Sequence, residues 1–158
     1  APLYPGTCRH LGDAARAGFS ADGRPAQWRL DMAAATALAG PLGFVETGQT
    51  RQSHPARWGD AVLSRKDTPT SYHLSVVVDD AAQGITHVTR GRDMEPSTDI
   101  HVLLQMLLGL AQPIYTFHRL ILDAEGKKLS KSKGSPTLRS LRQDGWSAEA
   151  IRREVGFD

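Results

Sequence analysis

The sequence predicts an α/β fold, on three observations. A β-branched alternating run, Ile85-Thr86-His87-Val88-Thr89-Arg90, precedes an apolar helical stripe at Ile100, Leu103, Leu104, Leu107 and Leu108, and a second strand-like run extends from Tyr115 to Leu122. Strand, helix and strand in succession build part of a parallel sheet, whose ligands bind beyond the carboxyl ends of strands. The 158 residues are 40% hydrophobic and 23% charged, which suits one buried core and excludes disorder, collagen and coiled coil. No apolar run approaches the ~18 residues of a membrane helix, and Ala1-Pro2-Leu3-Tyr4 does not read as a signal peptide. A single cysteine, Cys8, excludes an internal disulfide and points to a reducing cytoplasm.

In chain order, residues 1–60 carry glycine and proline throughout and predict a loop-rich subdomain with short helices or strands. Within it, Trp28-Arg29-Leu30-Asp31-Met32 alternates as a half-buried strand does, and Ala61-Val62-Leu63 follows the turn Trp58-Gly59-Asp60 as another. From Ser71 to Ala82 the pattern is open: Val76-Val77-Val78 favours a strand, whereas Tyr72, Val76 and Asp79-Asp80 suit a helix closed by Gly84. Ser97 or Thr98 is placed to cap the helix bearing the apolar stripe, and Gly109 to stop it. Beyond the second strand come the turn Asp123-Ala124-Glu125-Gly126 and a basic cluster. Ser135-Pro136 then predicts the cap and first residue of a helix carrying Leu138 and Leu141, and Ser147 caps a last helix that ends at Gly156. Residues 61–134 read as part of an α/β domain and 135–158 as C-terminal helices.

The net charge of +2 is too mild to identify a polyanionic partner, so placement matters more. Four lysines, Lys127, Lys128, Lys131 and Lys133, fall within the stretch Gly126-Lys127-Lys128-Leu129-Ser130-Lys131-Ser132-Lys133-Gly134. Ammonium groups, hydroxyl donors and glycine-exposed amides are the set that polyphosphate needs, although lysine spacing alone favours a solvated basic turn. Asp79 and Asp80, adjacent on a helix, diverge and read as helix-end solvation, not as an acid/base pair. His54, His73, His87, His101 and His118 show no metal-ligand spacing.

The string Lys128-Leu129-Ser130-Lys131-Ser132 resembles the KMSKS signature of class I aminoacyl-tRNA synthetases, with leucine for methionine. Tyr72 to Asp80, Gly84 to Asp93 and Leu120 to Ser132 are together similar to glutamyl-tRNA synthetases in order and spacing, over about half of the chain. Tyr4-Pro5-Gly6-Thr7-Cys8-Arg9 resembles the second half of the zinc site in the short glutamyl-queuosine tRNA(Asp) synthetases of that family. The resemblance implies a Rossmann-like catalytic domain, with residues 1–60 as its zinc-associated insertion, residues 61–134 as its second half and a helix over Tyr72 to Ala82. It implies that Tyr72 and Arg90 bind L-glutamate and that Lys131 acts on ATP within the Lys128–Ser132 loop. Tyr4 and Cys8 would be zinc ligands, and Mg2+ would accompany ATP.

The implied activity is glutamate activation followed by transfer to the queuosine base of tRNA(Asp), in a cytoplasmic protein that is monomeric when complete. A fragment of a glutamyl-tRNA synthetase and a noncatalytic nucleotide- or RNA-binding remnant are the alternatives. The family's HIGH-like string is not found, and its Cys-x-Cys pair would precede Ala1. The chain is therefore expected to be the C-terminal portion of a synthetase, inactive by itself.

Overall fold

The computed structural model describes residues 3–23, 25–130 and 134–157. The chain divides into two units, Ala1–Arg90 with Met94–Phe117, and Gly91–Asp93 with His118–Asp158. The sheet lies mainly in the first unit and orders its strands β3-β2-β6-β5, with β2 Leu42–Glu46, β3 Gln49–Ser53, β5 His87–Gly91 and β6 Ile114–His118. Strand β2 pairs parallel with β6 through Glu46 and Tyr115, and antiparallel with β3 across a two-residue turn. In that turn Thr47 and Gly48 both have positive φ, 45° and 84°, as a type I′ hairpin requires. The sheet thus takes strands from both sides of residue 60, where the sequence suggested that an insertion ends.

Helix α4, Thr98–Leu108, organises this unit. Ile100, Leu103 and Leu104 pack with Met32 and Ala35 of α2 (Met32–Ala39) and Val77 of α3 (Tyr72–Ala82), while Val102 joins Phe44, Tyr115 and Phe117 against the sheet. A helix bearing apolar residues at successive turns can serve two layers only if most of its surface is covered, and every residue from Thr98 to Gln105 is buried. Each fully buried leucine contributes about 1.5–3 kcal/mol relative to exposure, so Leu103, at 0% exposed, is a central contributor. Gly109 ends the helix at φ 65°, the left-handed conformation that glycine adopts at least cost.

Helix α3 is present as the family resemblance implies, and the Ser71 side chain caps it by accepting from the Leu74 amide. Elsewhere the structure corrects the sequence reading. The strand expected over residues 28–32 shrinks to β1, Trp28–Arg29, paired with β4, Val62–Ser64. Asp31 turns the chain instead, capping α2 through the Ala34 amide. Helix α1, Asp13–Ala21, adds an amphipathic element with no buried residue. Neither Ser97 nor Thr98 supplies the expected side-chain cap to α4: Ser97 makes no cap bond, and the Thr98 hydroxyl accepts from Arg90.

In the second unit, β6 ends at His118 instead of reaching Leu122, and Leu122 forms an isolated antiparallel bridge with Lys128. Thr137, not Ser135, caps α5, Leu138–Gln143, in a reciprocal capping box with Ser140. The Ser135 hydroxyl accepts from the Ser130 amide, which holds the exit of the basic loop. Helix α6, Ala148–Glu154, begins at its Ser147 cap as the sequence predicts.

Candidate functional site

Tyr72 at the first turn of α3 and Arg90 on β5 open onto one cavity of about 330 Å³ in the first unit. Its walls are Val76, Val77 and Asp80 of α3, Ile85 and residues His87–Thr89 beside and along β5, His101 and Gln105 of α4, and Tyr115 of β6. The structure therefore brings together the two residues that the resemblance implies for glutamate. Tyr72 is 54% exposed, its ring edge-on to His73 at 5.6 Å and to His101 at 5.8 Å.

Arg90 is half-buried, with its guanidinium over the rings of Tyr115 and Phe117 at 5.2 and 5.6 Å. Its Nη1 donates to His101 Nδ1 at 3.0 Å and its Nη2 donates to Thr98 Oγ1. Its Nε is buried with no hydrogen-bond partner among the described residues. Every one of these partners is neutral, and no carboxylate pairs with Arg90 among the described residues. A guanidinium removed from water without an anion is costly, because desolvation is only partly offset by neutral acceptors and ring faces. The cavity beside it leaves room for an anion to meet this guanidinium.

His101 is 2% exposed, and burial, reinforced by the charges of Arg90 and His73, pushes its imidazole down to about 3. Burial and then Arg90 also lower His73, whose Nδ1 lies 3.0 Å from His101 Nε2. Burial raises the Tyr115 phenol, which accepts from Gln105 Nε2 at 3.1 Å. Among the described lining residues the site thus sets the Arg90 guanidinium beside the deprotonated His101 ring, with Asp80 as the one carboxylate.

Sequence reasoning missed His73, His101, Thr98 and Gln105. The available signal was positional: His101 and Gln105 lie within the apolar stripe of α4, where an unpaired polar residue calls for a partner.

The basic loop belongs to the second unit. Asp123 Oδ1 accepts from the amides of Glu125 and Lys127, at 3.1 and 2.7 Å, and Leu129 N donates to Ile121 O at 3.1 Å. Lys128 is paired with Asp93, whose carboxyl its ammonium holds below the usual carboxylate range. Leu129 and Ser130 continue the loop, while Lys131 and Ser132 lie outside the described residues.

At the other end of the first unit, Tyr4 Oη accepts from the Cys8 amide at 2.7 Å, and the Cys8 thiol is exposed. The Arg29 guanidinium lies 4.6 Å over the Tyr4 ring. A structural zinc takes four ligands, and no group of three or more His, Cys, Asp or Glu gathers among the described residues. Tyr4 and Cys8 alone do not fit a zinc ion.

A sheet with a parallel pair and a helix crossing between strands defines a mixed α/β domain, and comparison with known proteins specifies its family. The family described as "tRNA synthetases class I (E and Q), catalytic domain" matches residues 3–156, and the chain belongs to it.

Among curated relatives, the "Glutamyl-Q tRNA(Asp) synthetase" of Rhodobacter capsulatus is 45% identical over 98% of this chain and 56% of its own length. That of Nocardia farcinica is 42% identical over 94% of this chain and 45% of its own. The chain thus spans about half the length of these relatives. The crystal structure of a glutamate tRNA ligase from Elizabethkingia meningosepticum, in complex with its amino acid, superposes with a TM-score of 0.66 at 29% identity. It is matched over 85% of this chain and 27% of that one.

Proposed function

We propose that this chain supplies the amino-acid-binding part of a glutamyl-Q tRNA(Asp) synthetase, in which Arg90 and Tyr72 hold L-glutamate. The observation that carries this reading is the half-buried Arg90 guanidinium, held among the described residues by neutral partners beside a cavity of about 330 Å³. A substrate carboxylate completes that environment, because a charge-assisted contact replaces the hydration Arg90 has lost. Glutamate has two carboxylates, so one can be gripped while the other reacts.

The reacting carboxylate attacks the α-phosphate of ATP. The new bond joins a carboxylate oxygen to that phosphorus, the bond to the bridging oxygen breaks, and pyrophosphate leaves. No protein nucleophile is required, since positioning and charge stabilisation supply the catalysis. The Lys128–Ser132 loop serves the phosphates, with Lys131 stabilising charge as pyrophosphate separates and Lys128 held by Asp93. Mg2+ travels with ATP. Transfer of the activated glutamate to the queuosine base of tRNA(Asp) completes the reaction, and names of relatives at 42–45% identity support that acceptor. Zinc on Tyr4 and Cys8 requires two donors beyond those gathered here.

Glutamate-dependent ATP–pyrophosphate exchange in the native protein tests the reading. Replacing Arg90→Leu should raise the glutamate requirement by roughly tenfold or more and leave the ATP requirement nearly unchanged, as loss of a charged hydrogen bond costs about 1.5–3 kcal/mol. Equal weakening of both substrates would make Arg90 structural. Charging of tRNA(Glu) in place of queuosine-bearing tRNA(Asp) would select an ordinary glutamyl-tRNA synthetase.

A further inference from the structure

The two imidazoles beneath Arg90 are joined in a chain whose direction is fixed by elementary donor and acceptor rules. Arginine only donates, so the 3.0 Å contact from Arg90 Nη1 makes His101 Nδ1 a bare acceptor. A neutral ring with a bare Nδ1 carries its proton on Nε2. That nitrogen lies 3.0 Å from His73 Nδ1, which must then accept, leaving the His73 proton on its own Nε2. We propose that His101 and His73 are positioning residues for substrate recognition, an ordered pair of neutral Nε2-protonated imidazoles that holds the Arg90 guanidinium in the orientation in which it grips a carboxylate. This deepens the proposed function and rests on it.

The chain tolerates no additional proton. A proton on His101 Nδ1 would remove the acceptor that Arg90 uses and set two cations against each other. A proton on His73 Nδ1 would oppose the His101 Nε2 proton, and its relief, a tautomer change in His101, would move a proton to face Arg90. Burial of His101, at 2% exposed, and its strongly lowered affinity for protons agree with a ring kept neutral in this position. Thr98, at 0% exposed, provides the second rigid acceptor, so the guanidinium is held at Nη1 and Nη2 by groups that cannot move into solvent. A loosely held arginine would lose part of each carboxylate contact to its own side-chain entropy, whereas one fixed at two nitrogens has already lost that freedom.

The test separates this role from packing by using two replacements of similar bulk. In His101→Gln, the amide oxygen can accept from Arg90 and the amide nitrogen can donate to His73. In His101→Leu, neither is possible. In the native protein, the Gln variant should keep the glutamate KM within about threefold, whereas the Leu variant should raise it about tenfold or more with the ATP KM unchanged. Nitrogen-15 NMR of the imidazoles should show both rings neutral with the proton on Nε2, a measurement that needs no substrate and is available even where His101→Leu fails to fold. Either ring protonated on Nδ1, or a Gln variant as impaired for glutamate as the Leu variant, overturns the proposal. If instead Arg90→Leu leaves the glutamate KM unmoved while the tautomers are as stated, the glutamate reading is what fails.

Discussion

Acidification should destabilise this protein through His101 well before Asp60 and Asp93 take up protons. The ordinary histidine value is 6.5, and the folded environment lowers His101 to about 3 through burial, the Arg90 charge and His73. A depressed histidine takes its proton first in the unfolded chain. Its stabilising effect is whole above pH 6.5, declines as pH falls through that value, and stops declining near 3. At pH 5 the gap from 6.5 is about 1.5 pH units, which at about 1.36 kcal/mol per unit removes roughly 2 kcal/mol. His73 is lowered too and adds in the same direction.

The carboxylates act elsewhere on the scale. Burial opposes ionisation of Asp60, but hydrogen bonds from Arg9 and the Met32 amide outweigh it, and Lys128 lowers Asp93. Both lie below 3.8, so their contributions fade only under that pH. Urea unfolding at pH 7 and pH 5 measures the loss, with His101→Gln as the comparison. The unmodified chain should lose about 2 kcal/mol more between the two conditions than the variant does. Equal losses in the two proteins would mean that His101 gains its proton as an ordinary histidine does, and the buried relay would be wrong.

Lys131→Ala in the native protein should depress ATP–pyrophosphate exchange far more than glutamate binding, since its charge acts as the phosphates separate; exchange at the unmodified rate refutes its assignment. Leu103→Ala, at a fully buried position between two layers, should cost about 2–5 kcal/mol in denaturant unfolding, and a cost under about 1 kcal/mol would mean that α4 is not so enclosed. Metal analysis of the 158-residue chain should find no tightly held zinc, and removal of Cys8 should not alter its unfolding; one zinc per chain would reveal donors beyond Tyr4 and Cys8.

What the sequence disclosed follows the reach of its signals. Helix α4 was legible because its apolar spacing, its start near Ser97 and Thr98 and its glycine stop agree, and β5 because β-branched residues alternate there. The hairpin of β2 and β3 was not, because Gly43 interrupts β2 and β3 is a polar edge strand whose Gln49-Thr50-Arg51-Gln52 face solvent. Tyr72 and Arg90 were legible through a family resemblance, and each alone is an ordinary helix-end or strand-end residue. The His73–His101 contact joins residues 28 positions apart, so no local pattern could announce it. Asp80 shows the limit from the other side: read as solvated helix end, it lines the cavity because α3 turns that face toward β5.

One buried carboxylate, that of Asp99, ties the end of β3 and the turn after it to α4. Asp99 Oδ1 accepts from Ser53 Oγ and the His54 amide, both at 3.0 Å, and its Oδ2 accepts from Trp58 Nε1 at 3.2 Å and Arg57 Nε at 2.8 Å. These donors span the end of β3 and the 3₁₀ turn Pro55–Trp58, so one side chain at the start of α4 clasps the whole segment from residue 53 to 58. The four bonds share a single acceptor group, so withdrawal of the Asp99 carboxylate releases all of them. The His54 amide reports that release, since its hydrogen is open to exchange with solvent only when its bond to Asp99 is broken.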